Sequence, residues 1–147
     1  TSRPFSPTWA SALASGAALE RLQRMIERQG GDPRVVDDPS LLPAVSGRRT
    51  FTADRSGYVT RIDAGMIGRA SHALGAGRTR IGDAVDHAVG IVMRVRRGGR
   101  VSAGDPLLDL CHRGERGVDA ALALCREAVA VGDEQPPARS KILGEVP

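Results

Sequence analysis

Two glycines and two arginines within Leu74-Gly75-Ala76-Gly77-Arg78-Thr79-Arg80 make this the one stretch of the chain whose residue types suit an anion. Glycine lets backbone amides approach an oxyanion closely, and guanidinium groups supply charge and paired donors. The stretch follows a helical pattern instead of opening one, so the free amides of a helix N-terminus are missing from it. The plainer reading is a C-cap turn whose arginines pair with Asp83 or Asp86. Asp83, Asp86 and His87 have the residue types of an acid–base cluster, but a polar network that closes the loop is the simpler account. His72, His87 and His112 offer no i, i+4 pair and no ligand cluster, so no metal site is expected. Cys111 and Cys125 lack C-x-x-C spacing and read as buried, reduced thiols. No residue is assigned a catalytic role, and no cofactor is called for.

The elements that position these residues follow from periodicity and turn chemistry. Thr1–Thr8 holds two prolines and no period, and residues 1–14 are read as a disordered or foreign leader. From Ser15 the pattern is helical: Leu19, Leu22 and Ile26 share a face with Met25 beside it, while Glu20, Arg21, Arg24, Glu27 and Arg28 point outward. Gly30-Gly31 ends that helix. Asp32–Pro43 is a connector rich in Pro and Asp, and a boundary falls near Ser46-Gly47. Strands are expected at Arg49–Ala53 and Gly57–Ile62, a helix at Ala64–Leu74, a loop at Gly75–Asp86 and a buried strand at Val89–Val95. In the run Arg97–Leu110, Gly98-Gly99 and Gly104-Asp105 supply tight turns, Val101 points inward, Asp105 sets its turn by accepting backbone N–H bonds, and Leu107–Leu110 is a strand. Val118–Val131 reads as an amphipathic helix with Leu122, Cys125 and Val129 on one face, and the tail Gln135–Pro147, with Ile142-Leu143, as an edge strand.

Composition sets the outer bounds. The 147 residues are 41% hydrophobic and only 3% aromatic, with 18 glycines, so the core must rest on Val, Leu, Ile and Ala against closely approaching backbone. The net charge is +4, but the arginines are scattered among acids, and Phe5, Trp9, Phe51 and Tyr58 are the only rings. A nucleic-acid partner is therefore not expected. No apolar run reaches membrane-spanning length, and Trp9–Ala18 lacks the basic start of a signal peptide, which points to the cytoplasm and to no membrane partner. The chain begins at Thr1 instead of Met, and is read as part of a longer gene product.

The run Arg97–Leu110 resembles the barrel-sandwich hybrid, a small β-domain shared by biotinyl and lipoyl carriers and by the last domain of pyrimidine nucleoside phosphorylases. A carrier needs a lysine at the hairpin tip that follows. The chain holds Cys111-His112-Arg113-Gly114 there, and its one lysine is Lys141, so the carrier reading fails on chemistry. The segment Ala18–Pro33, then Gly57-Tyr58-Val59 with Ile62-Asp63, then Leu74–Arg78, then Asp83–Gly90, then the hairpin run resemble, in order and spacing, the C-terminal part of thymidine and pyrimidine nucleoside phosphorylases. The match runs from about Ser15 to Pro136.

This resemblance implies an α+β chain: residues 15–46 as a helix and connector from the end of a large α/β domain, then residues 47–147 as an α/β-hammerhead domain with the barrel-sandwich hybrid. It implies a homodimeric parent enzyme that cleaves thymidine or uridine with phosphate as co-substrate, giving free base and pentose 1-phosphate. The family's catalytic residues and phosphate loop lie in a part this chain does not hold, so none is carried over, and the base preference is not legible. The chain is then a structural, loop-presenting module, inactive without the rest of the phosphorylase. Its substrate-cleft loop contains Gly75, Gly77, Arg78 and Arg80 and closes toward the substrate. The alternative is a stand-alone binding or assembly domain on the same barrel without the modified lysine; an upstream reading frame with a phosphate loop separates the two.

Overall fold

The computed structural model describes residues 7–78 and 80–138, and the chain divides into two units, Thr1–Ala44 and Val45–Pro147. In the first unit, helix α1 (Pro7–Ala14) precedes helix α2 (Ala17–Arg28). Helix α1 lies within residues 1–14, the stretch read as a disordered or foreign leader, of which residues 1–6 lie outside the described residues. Pro7 stands at its first position, where the missing N–H has no intrahelical partner to lose, so the proline opens the helix instead of breaking it. Helix α2 ends as its glycines require: Gly30 donates to the Glu27 carbonyl and Gly31 to the Ile26 carbonyl, both at 2.9 Å, which satisfies carbonyls the last turn leaves open. Beyond it, Asp32 and Asp38 cap two short 3-10 turns, Pro33–Val36 and Pro39–Leu41, each accepting the N–H two residues on at 3.0 Å. No residue of α2 is buried, and Leu19, Leu22 and Met25 are 56, 39 and 50% exposed.

The second unit holds strands β1 (Gly47–Thr52), β2 (Gly57–Ile62), β3 (Gly90–Met93), β4 (Arg100–Val101), β5 (Pro106–His112) and β6 (Val129–Gly132), with helices α3 (Ala64–Ser71) and α4 (Val118–Ala128). The fold class is α+β, with two three-stranded antiparallel sheets in the orders β1-β5-β3 and β4-β2-β6. The turn run joins them. Gly98 and Gly104 adopt φ of 85° and 90°; Gly98 donates to the Val59 carbonyl at 2.7 Å and Gly104 to the Ala53 carbonyl at 2.8 Å. Asp105 accepts the Ser102 N–H at 2.8 Å, the turn-setting role its position suggested.

Two expected elements differ. Helix α4 stops at Ala128, and Val129–Gly132 pairs with β2, Ile62 opposite Val129 and Tyr58 opposite Gly132. The two valines of Val129-Ala130-Val131 suit a strand, and the free edge of β2 supplies its hydrogen-bond partners, so tertiary pairing overrides the helical period. The strand expected over Val89–Val95 is only Gly90–Met93 at a sheet edge, and Val92 is 41% exposed. The edge-strand reading of the tail falls largely on residues 139–147, outside the described residues.

The core is built on α4, whose Val118, Ala121, Leu122, Cys125 and Ala128 recur at helical spacing and are all buried, packed with Val59, Ala70, Leu108 and Leu110. Each fully buried leucine contributes about 2 kcal/mol of transfer free energy. Cys111 and Cys125 are both buried and free, and burial pushes the Cys125 thiol above its ordinary value. No helix among the described residues is long and apolar enough to cross a membrane.

Strand β5 also carries a buried carboxylate that patterning gave no sign of. Asp109 is 3% exposed; it accepts the Thr50 hydroxyl at 2.7 Å and Arg94 Nε at 2.7 Å, with Arg48 at 3.5 Å. The Thr50 hydrogen bond, followed by the Arg94 guanidinium, holds this carboxyl below its ordinary 3.8 against the opposing effect of burial. A group whose pKa is lower in the folded state stabilises the fold above its unfolded value and loses that contribution as pH falls through the folded one. The stability of the chain against urea should therefore fall as pH drops below 3.8. Asp109→Asn should flatten that acid limb. An unchanged limb in the variant would assign it to other carboxylates, such as Asp32, whose hydrogen bonds from Arg34 also lower its pKa.

Candidate functional site

The glycine–arginine stretch begins where α3 loosens. Asp63 caps α3 by accepting the Met66 N–H at 3.0 Å, and its own N–H donates to the Ala128 carbonyl at 2.9 Å, tying the helix start to the end of α4. After Ser71 the helix widens into a π-turn over His72–Ala76, which Gly75 ends with a φ of 105°. Asp86 N–H donates to the Gly75 carbonyl at 3.1 Å, so the far end of the loop returns to its start.

The histidine in this turn pins the loop. His72 Nε2 donates to the Arg78 carbonyl at 2.9 Å, and a Cβ on Gly77 would overlap the His72 ring. Only glycine lets the chain pass this close to the imidazole. Asp83 accepts the Arg80 N–H at 2.7 Å, and Asp86 accepts the Ala88 N–H at 3.0 Å.

The segment between β5 and α4 forms the facing wall. His112 Nδ1 donates to the Gly114 carbonyl at 2.7 Å, and Gly114 N–H donates to the Ser46 hydroxyl at 3.2 Å. Arg113 Nε reaches Asp86 at 3.4 Å. Gly117, at φ 80°, starts α4 directly against the π-turn: a Cβ there would penetrate the Ala73 carbonyl. Between these walls lies a cleft of about 490 Å³ lined by His72, Ala73, Leu74, Gly75, Gly77, Asp83, Ala84, Arg113 and Arg116.

Of the residues named from sequence, Gly75 and Gly77 line this cleft, whereas Arg78 and Arg80 are exposed and do not. Asp83 and Asp86 each accept a backbone N–H, and Arg113 takes the Asp86 carboxylate. For Asp86 the ion-pair partner is therefore Arg113 and not an arginine of the glycine–arginine stretch. Sequence reasoning missed Arg113 and Arg116. Arg113 occupies the hairpin position inspected for a lysine, which was a usable signal; Arg116 reaches the cleft only because Gly117 lets α4 close on the π-turn. His87 is not among the lining residues, and no group of three His, Cys, Asp or Glu side chains converges among the described residues.

Comparison with known proteins covers most of the chain. The family described as the pyrimidine nucleoside phosphorylase C-terminal domain matches residues 58–132. Two relatives named pyrimidine-nucleoside phosphorylase come from Staphylococcus aureus. The one from strain USA300 is 38% identical over 136 residues, covering 91% of this chain and 31% of the relative. The one from strain MSSA476 is 39% identical over 122 residues, covering 83% and 28%. The chain thus spans less than a third of the length of the curated relatives it matches.

Proposed function

The chain belongs to the pyrimidine nucleoside phosphorylase C-terminal domain family, and from that premise we propose that it is the C-terminal part of an enzyme that splits a pyrimidine nucleoside with inorganic phosphate into free base and pentose 1-phosphate. The observation that carries this reading is the asymmetry of the match, which takes in 91% of this chain but 31% of the relative. In this reading the parent is a cytoplasmic homodimer, phosphate is its co-substrate, and no other cofactor takes part.

Within that enzyme the chain serves as a structural and loop-presenting module. The two three-stranded sheets support its reading as an α/β-hammerhead domain with a barrel-sandwich hybrid. Residues 15–46 are the end of the preceding α/β domain, and the exposed stripe Leu19, Leu22 and Met25 supports this: an apolar face without a core of its own is what a helix cut from its domain presents. The loop carrying Gly75, Gly77, Arg78 and Arg80 closes toward the substrate, where excluding water strengthens each polar interaction with the reacting groups.

A hybrid enzyme tests the proposal. This chain replaces the matching C-terminal part of the Staphylococcus aureus enzyme, and release of uracil and thymine from their nucleosides is followed with phosphate present. The chain alone should release no base, and the hybrid should keep kcat/KM within about tenfold of the intact relative. Turnover by the chain alone that survives repurification would overturn the inactive-module reading, and a folded hybrid without activity would overturn the enzymatic one.

A further inference from the structure

We propose that His72 is a positioning residue for the pyrimidine phosphorolysis on which this role rests: by holding the main chain at Arg78, it aims that residue's guanidinium at the substrate without touching the substrate itself. The imidazole stands on a fixed base. Ala70 and Leu74, two residues to either side, are buried, and residues two apart on a helix lie on nearly opposite faces, so His72 rises from the face turned away from the core. Its side is exposed. Behind it, the Ala73 carbonyl meets Gly117 at the start of α4, which leaves the turn no room to shift. From this base His72 Nε2 donates across six residues to the Arg78 carbonyl at 2.9 Å.

Gly77 is fitted to the ring and not to the turn. Its φ of −139° and ψ of 169° are extended backbone open to any residue, yet a Cβ there would overlap the imidazole. Glycine and histidine are thus matched to each other. The hydrogen bond fixes the peptide plane that holds both the Arg78 carbonyl and the Arg78 Cα. With that plane set on one side and Gly77 against the ring on the other, the Arg78 side chain leaves the loop in a set direction. The bond spends no part of the guanidinium, and the ties at Arg80 N–H to Asp83 and Asp86 N–H to the Gly75 carbonyl act at other points of the loop. Aim matters because misplacing a group by about 1 Å can cost about 100-fold in rate.

Kinetics of the hybrid enzyme and NMR of this chain test the role together. His72→Leu, which keeps bulk and loses the donor, should lower kcat/KM about three- to tenfold, the factor of one uncharged hydrogen bond, with the melting temperature within about 2 °C. His72→Gln, whose amide nitrogen reaches the place of Nε2, should recover most of that loss. In an Arg78→Ala background His72→Leu should cost nothing further, because its effect passes through the guanidinium already removed. In the chain itself the carbonyl carbon shift of Arg78 reads the bond directly, and should move in His72→Leu and stay in His72→Gln. A kinetic loss of the same size in the Arg78→Ala background, or kinetics indifferent to His72→Leu in an active hybrid, would overturn the role and leave phosphorolysis standing. A folded hybrid that is inactive with His72 in place would overturn phosphorolysis and this role with it.

Discussion

Replacing Gly117 by alanine will lower the melting temperature by about 10–20 °C, equivalent to roughly 3 kcal/mol in a unit of this size. Two costs add. The residue sits at φ 80°, where a Cβ is strained, and the new methyl would press on the Ala73 carbonyl, a backbone atom that cannot rotate away. Gly114→Ala is the control, since Gly114 has a similar φ of 70° but nothing within 4 Å of its would-be Cβ. That variant should lose only about 1–2 kcal/mol, the cost of the backbone conformation alone. Equal losses in the two variants would show that the seat of α4 on the π-turn contributes nothing.

How far such features could be read from the sequence depended on whether their cause was local. The glycine pair ending α2, the start and end of β2 and the turn-setting Asp105 are each decided by a few neighbouring residues, and each stands where patterning put it. Strand β6 was misread because Val129–Gly132 continues the apolar period of α4, and only the unpaired edge of β2 makes it a strand. Asp109 was passed over because a carboxylate inside an apolar run looks like a surface position until Thr50, Arg94 and Arg48 are folded around it. In the candidate cleft, the glycines were found by their type. The arginines that line it come from a segment distant in sequence, and no spacing rule connects Gly75 to Arg116.

Within the hybrid enzyme, Arg78→Ala should reduce kcat/KM by about 10- to 100-fold while the melting temperature stays within about 2 °C. The reason for separating the two effects lies in how the loop is held. His72 binds the main-chain carbonyl of Arg78, so removing the guanidinium leaves that bond intact. The side chain is exposed and makes no ion pair among the described residues, so the fold loses little with it. Its charge is free to act on what the closed loop meets. Steady-state kinetics beside thermal denaturation decides the matter: a lowered melting temperature with unchanged kinetics would make Arg78 a structural residue and remove the functional reading of this loop.

Helix α4 passes into β6 at Ala128–Val129 with no residue between them, and its other end abuts the Ala73 carbonyl. A strut seated at both ends has no slack. An inserted or deleted residue anywhere in Val118–Gly132 would have to rotate the buried face of the helix by about 100°, or slip β6 by one register and turn Val129 and Val131 away from their side of the sheet. The segment from Ile81 to Asp86, by contrast, is tied down at Asp83 and Asp86, while Ile81, Gly82 and Ala84 are exposed. Changes of chain length across the cleft will therefore be accommodated on the loop side, and the arginine-bearing side will keep its length.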